Sequence, residues 1–188
     1  MTKDNRERIL QAALAALSGR GYERTTVKDI AEEARVAPGL IHYYFKSKQQ
    51  LVVAALLVCC DKIALDVGSV TDVAAAFDVL KTSLRENSEF HRFFIEMVGV
   101  GLHDPEIGAG VLQFLRSDRG FVEEIASHVL GSREDIDRRT VKALASTVWA
   151  ATFGIIVQNL VDPDFDAEAS VDALALMAAA TVTRLTAA

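Results

Sequence analysis

The chain has 188 residues, 51% hydrophobic and 24% charged, with a formal net charge of −6. That length suits one globular unit or two small packed ones, and that apolar share excludes a disordered polymer. No unbroken apolar run approaches the roughly 18–20 residues of a membrane span, so no membrane partner is expected.

The opening MTKDNRER is charged and leads into an amphipathic pattern, which does not read as a secretion signal. From Arg6 to Gly19 the residues Ile9, Leu10, Ala13, Leu14 and Leu17 form a one-face helical stripe. Gly19 and Gly21 stop it. Thr26 followed three residues later by Asp29 is a capping-box pattern, so a second helix starts there, with Val27, Ile30, Ala31 and Ala34 as its buried side. Pro38 suits the first turn of a third helix, where its missing N–H costs nothing. In that helix Leu40, Ile41, Tyr44 and Phe45 bracket one face, while His42, Tyr43 and Lys46 fall largely on the other. Ser47 and Gln50 make a second capping pattern, opening a long helix from about Lys48 to Val67.

Further helices are expected from about Asp72 to Glu86 and from about Glu89 to Leu102. One or two more fall between Glu106 and Leu130, with Gly108, Gly110 and Gly120 as weak spots. Two long ones close the chain, about Glu134 to Val161 and Ala167 to Leu185, separated by the breaker DPDFD. No alternating strand pattern, internal repeat or low-complexity tract is visible. The expected class is all-α, with about nine helices.

Charge divides unevenly along this order. Residues 1–50 hold nine Lys/Arg against six Asp/Glu, and the rest hold 11 against 20. A basic head is drawn to phosphate and an acidic body is repelled, so the molecule is polarised for a duplex. The head also has the shape for one: helix, tight turn, second helix with polar residues outward, as in a helix-turn-helix. A recognition helix must present polar side chains to base edges while its other face is held rigidly. The split between Leu40/Ile41/Tyr44/Phe45 and His42/Tyr43 meets both demands. Pro38 and Gly39 allow close approach of the backbone, and Lys28, Lys46 and Lys48 flank the helix as candidate phosphate contacts. The plain alternative is that His42 and Tyr43 are surface residues and the lysines solvated charges.

The run Tyr22-x-x-Thr25-Thr26-Val27-x-Asp29-Ile30-Ala31, then Val36-Ala37-x-Gly39-x-Ile41-x-Tyr43-Tyr44-Phe45-x-Ser47-Lys48-x-x-Leu51, resembles the N-terminal domain of the TetR family of transcriptional regulators. The resemblance covers residues 1–55 and fades beyond them. It implies a helix-turn-helix DNA-binding domain over 1–47, with its motif at 26–45. A C-terminal helical domain for ligand binding and dimerisation would follow over 48–188. It implies a homodimer on a palindromic double-stranded DNA operator, most often a repressor, released by a small-molecule effector whose identity the sequence does not give. The DNA contacts it implies are Thr26, Lys28, Pro38, Gly39, Leu40, His42, Tyr43, Tyr44 and Lys48. Two positions depart from the family pattern. Arg35 stands where the turn usually has Gly, so either the turn differs or Arg35 serves a phosphate. His42 stands where Tyr is common, which bears on base preference.

Beyond the head, Phe90, His91, Phe94, Met97, Phe114, Trp149 and Phe153 are candidate lining of an effector cavity, though for each alone plain core is the better account. Phe93 and Phe121 belong to the same cluster, and His103, His128 and Gln158 are further candidate polar groups. The last two helices are rich in small residues and apolar on most sides, which burial in the monomer core explains in part and a two-fold four-helix interface explains more fully; Val148, Ala151, Ile155, Leu174 and Ala178 are its candidate contacts. Cys59 and Cys60 are neighbours that cannot easily bridge each other, which suggests a reduced, cytoplasmic chain. A redox role for them stays open. No cofactor or metal is expected, and no glycine-rich phosphate loop or nucleophile elbow suggests an enzyme. The competing reading is a small-molecule sensor whose head no longer reads sequence.

Overall fold

The stripe of Ile9, Leu10, Ala13 and Leu17 becomes the buried side of the first helix. The structure is a computed structural model describing residues 2–67, 70, 72–130 and 137–187, with side chains at 2–4 and 60–67 outside that description. Its helices are α1 (Thr2–Arg20), α2 (Val27–Glu33), α3 (Pro38–Tyr44), α4 (Lys48–Val67), α5 (Val73–Glu86), α6 (Ser88–Gly101), α7 (Pro105–Leu130), α8 (Arg138–Val161) and α9 (Ala167–Thr186). Among the described residues there are nine helices and no strand, the all-α class expected. The expected start of α8 at Glu134 lies outside the described residues, as does the side chain of Cys60.

Local chemistry sets most of the boundaries. Thr26, Asp72, Asp137 and Asp166 each cap a helix N-terminus by accepting a backbone N–H, satisfying one of the orphan donors there. Gly21 closes α1 at φ +83 and donates its N–H to the Leu17 carbonyl at 2.8 Å. A positive φ of that kind costs glycine nothing.

Two compact units emerge. The first comprises Met1–Asp61 and Glu89–Leu115. In it α1 packs on α2 and α2 on α3, burying Ile9, Leu17, Ile30 and Ile41 almost completely. Each such side chain contributes about 1.5–3 kcal/mol through removal from water. Leu51, Val52 and Leu56 of α4, Phe93 and Met97 of α6, and Ile107 and Phe114 of α7 are equally buried. Glycines expected to weaken α7 have packing roles instead. A Cβ on Gly108 would stand 2.5 Å from the Gly101 carbonyl oxygen, and one on Gly110 would stand 2.6 Å from Val53. They let helices approach closely, and α7 runs unbroken through them.

The second unit comprises Lys62–Ser88 and Arg116–Ala188. Here α9 packs against both α5 and α8. Phe77, Leu84, Ile155, Ala167, Val171 and Leu174 form its core, with Val148, Ala151 and Ala178 packed on it. Of the five residues expected at a subunit interface, Ile155 and Leu174 are buried in this core, and Val148, Ala151 and Ala178 are half-buried against it. The physical reason is that α9 is packed between amphipathic α5 on one side and α8 on the other, which takes up part of their apolar surface. The outward residues of α8 and α9 include Ala150, Val161, Ala173, Leu176, Met177 and Ala180. Although interrupted by polar residues, α8 and α9 are each long and apolar enough to cross a membrane, at mean hydropathy 1.5 and 1.2. Only 17% and 11% of those stretches is buried within the chain.

Candidate nucleic-acid interface

The head is built around a reciprocal cap. Asp29 donates its N–H to the Thr26 hydroxyl at 3.2 Å, while the Asp29 carboxylate accepts from the Thr26 N–H at 2.7 Å and hydroxyl at 2.6 Å. The Thr26 hydroxyl and then its N–H hold the Asp29 carboxyl below the ordinary carboxylate range. Thr25, buried just before it, donates its hydroxyl to the Gly21 carbonyl at 2.7 Å. Thr26 is thus exposed at the start of α2 with its hydroxyl committed to the cap.

The turn between α2 and α3 is a Schellman arrangement. Val36 donates to the Ala31 carbonyl at 2.9 Å and Arg35 to the Glu32 carbonyl at 3.0 Å, the paired bonds that end a helix through a left-handed residue. That residue is Arg35, at φ 53, the only non-glycine with positive φ among the described residues. The turn keeps its left-handed geometry despite lacking glycine. Arg8, from α1, helps to hold it: its guanidinium donates to the carbonyl of Ala34 at 2.6 Å and to that of Arg35 at 3.4 Å. A cation there also complements the negative end of α2.

Pro38 occupies the first turn of α3, and Ile41, 1% exposed, anchors the helix to the head. The chain leaves helical geometry at Phe45, whose N–H closes on the Ile41 carbonyl at 2.7 Å. Pro38, Gly39, His42 and Tyr43 are exposed, Tyr43 at 77%, and Leu40 and Tyr44 are half-buried. The Tyr43 and Tyr44 rings meet edge to face at 5.2 Å. A Cβ at Gly39 would meet nothing within 4 Å. Lys28 is exposed at the start of α2. Acids near this surface are partly compensated, with Arg20 lying 3.8 Å from Asp29 and 3.7 Å from Glu33.

Lys48 is placed differently from the others. Its ammonium donates to the Tyr22 carbonyl and lies 3.8 Å from the centre of the Tyr22 ring. Burial pulls its pKa below the usual lysine value, opposed by Glu23 and Glu96. Glu96 of α6 in turn accepts the Tyr22 N–H at 2.6 Å. The Tyr22 residue is therefore gripped at both ends, by α4 and by α6. Arg8 and Glu96 carry no sequence signal of these roles, because their partners lie 26 and 74 positions away.

The residues expected to line a cavity fall into both units. In the first unit Phe94 and Phe114 stand 4.5 Å apart, and Phe90 lies 5.9 Å from Phe114. His91 and Met97 are buried on the same helix. Burial alone pushes the His91 pKa down to about 4, so the imidazole is neutral at physiological pH. In the second unit Trp149 stacks on Phe153 at 5.5 Å with planes 10° apart. His103, His128 and Gln158 are exposed. Cys59 donates its thiol to the Ala55 carbonyl at 3.5 Å. Among the described residues no group of three His, Cys, Asp or Glu side chains is placed to hold a metal ion.

This head matches known proteins. Residues 9–55 fit the domain family described as bacterial regulatory proteins, tetR family. The HTH-type transcriptional repressor KstR of Rhodococcus jostii is 48% identical over 54 residues, 29% of this chain and 26% of that protein. The chain thus spans about a quarter of the length of the curated relatives it matches. Solved structures agree over nearly its whole length in fold. A TetR transcription regulator from Haloarcula marismortui has a TM-score of 0.74 at 20% identity, covering 97% of this chain and 98% of that one. A putative TetR-family transcriptional regulator from Rhodococcus sp. has a TM-score of 0.78 at 21% identity, covering 96% and 100%.

Proposed function

We propose, from the match of residues 9–55 to the tetR family, that the chain is a dimeric, cytoplasmic transcriptional repressor. Residues 1–47 read a palindromic double-stranded operator, and 48–188 pair two copies and bind a small effector that releases them. The observation that carries this reading is α3: a short helix locked down through Ile41 that turns His42 and Tyr43 outward with Pro38 and Gly39 at its open start. That is what major-groove reading requires.

Thr26, Lys28, Pro38, Gly39, Leu40, His42, Tyr43 and Tyr44 contact DNA in this reading, Lys28 by phosphate. Lys48 gives one of its three N–H donors to the Tyr22 carbonyl, so its contribution to phosphate contact is coupled to the α1–α2 connection. The largely unburied apolar lengths of α8 and α9 support pairing of two copies, through their outward residues rather than through the five that serve the core. A two-fold axis there matches a palindromic site. Effector release demands differential affinity for the two states of the dimer, not tight binding alone.

Selection of bound fragments from the source genome, at near-physiological salt to suppress non-specific binding, tests the whole reading. One palindromic site with half-sites about one helical turn apart is expected. Random fragments recovered by a folded dimer would instead favour a sensor that no longer reads sequence.

A further inference from the structure

Asp118 lies midway along α7 in the second unit, partly buried. Its carboxylate accepts the indole N–H of Trp149 from α8. Burial raises its pKa above the ordinary carboxylate value and the indole bond opposes that. Among the described residues no lysine, arginine or histidine is paired with this carboxylate. A neutral N–H compensates a sheltered anion only in part, whereas a cation compensates it well. Elsewhere in this unit Asp172 is met by Lys81 and Glu168 by Arg85 at the surface, while the exposed Asp72, Asp137 and Asp166 accept backbone N–H groups at helix starts.

The neighbouring surface is suited to a cation as well. Trp149 lies nearly parallel to Phe153, one turn further along α8, with ring centres 5.5 Å apart. Aromatic faces attract cations held within about 6 Å of the ring centre, Trp most strongly. An anion and a two-ring aromatic stack thus meet at one indole.

We propose that Asp118, Trp149 and Phe153 form the recognition corner for a cationic group, a quaternary ammonium or protonated amine carried on an apolar body. That such a ligand acts as the effector rests on the regulator reading above; that it binds does not. The aromatic stack takes the apolar and cationic faces, and the carboxylate sets the preference for positive charge over an uncharged isostere.

The test needs no DNA, so its failure is separate from failure of the operator reading. Trp149 is the single tryptophan of the chain, and its emission reports on this corner directly. The full chain is titrated with benzyltrimethylammonium and with its uncharged carbon isostere, neopentylbenzene, and then the titrations are repeated with Asp118→Asn. Asparagine keeps an oxygen to accept the indole N–H, so the corner retains its shape. A saturable emission change with the cation, at least tenfold weaker in D118N and at least tenfold weaker for the isostere, is expected. No saturable change in the unaltered chain overturns the proposal. Equal affinity for the two probes, a comparison that requires no variant, overturns it too. So does undiminished cation binding by D118N.

Discussion

Replacing Arg35 with glycine should stabilise the protein. An L-residue in the left-handed region costs roughly 1–2 kcal/mol, and Arg35 sits there at φ 53. Glycine removes that penalty but adds about 0.4–1 kcal/mol of unfolded-chain freedom. The hydrogen bonds that define the turn run through the Arg35 N–H, the Val36 N–H and the Arg8 guanidinium onto backbone carbonyls. None of these needs the Arg35 side chain. The net gain is therefore about 0.5–1 kcal/mol, or roughly 1–4 °C in Tm for a chain of this size. Thermal unfolding at one fixed protein concentration measures it, since the proposed dimer would melt in a concentration-dependent way. Arg35→Ala is the control, because alanine keeps the Cβ and so keeps the penalty. A melting temperature for R35G at or below the parent, or an equal rise in R35A, would refute the backbone argument. Binding to the selected operator across salt concentrations gives a second readout on the same variants. If Arg35 meets a phosphate, both lose about one from the salt slope while only R35G gains stability.

Four other outcomes follow from the geometry. Ala at His42 or Tyr43 should reduce discrimination between operator and random DNA by about 1–3 kcal/mol, read by competition anisotropy; unchanged discrimination would remove that residue from base reading. Lys48→Met should cost about 1 kcal/mol by removing the charged donor to the Tyr22 carbonyl, which then keeps only the Thr25 N–H at 3.3 Å, and lower the salt slope by about one. A lowered Tm with an unchanged slope would confine Lys48 to holding Tyr22. Because His91 is depressed from 6.5 to about 4, the unfolded chain binds the extra proton first, so stability falls as pH drops through that window. The loss is about 3 kcal/mol, and His91→Phe should flatten that part of the Tm–pH curve relative to the parent. Gly108→Ala, whose Cβ would press on the Gly101 backbone, should destabilise by about 1–3 kcal/mol. Gly120→Ala, with nothing within 4 Å, should stabilise α7 by about 0.5–1 kcal/mol, and equal melting temperatures for the two would contradict the packing account.

What was legible in the sequence was local. Thr26 and Asp29 form their cap across three positions, and Pro38 sets its own φ, so both could be read without knowing the fold. Arg35 was conspicuous for a similar reason, since the turn geometry demands a left-handed residue whatever occupies it. Long-range partners were hidden. Gly108 and Gly110 read as breakers because Gly101 and Val53, which they accommodate, are set opposite them only by folding. Ile155 and Leu174 belong to helices apolar on most sides, and periodicity cannot tell which face meets α5 and which stays outward. Lysine pattern likewise gives no direction, so the turn of Lys48 toward Tyr22 became visible only with both in place. Asp118 sits between two arginines in sequence yet is bonded to an indole 31 positions away.

The double grip on Tyr22 also bears on how such a protein can be engineered. Were the proposed DNA-reading head grafted onto another sensing body, residue 47, where that proposed domain ends, would be the place to cut. A cut there carries Tyr22 away and leaves behind both Lys48 and Glu96, the groups that hold its carbonyl and its N–H. The head is therefore not a free-standing cassette. A transplant that keeps signalling intact should carry the Lys48 and Glu96 positions with it, or choose a recipient that already presents a carboxylate and an ammonium to that peptide.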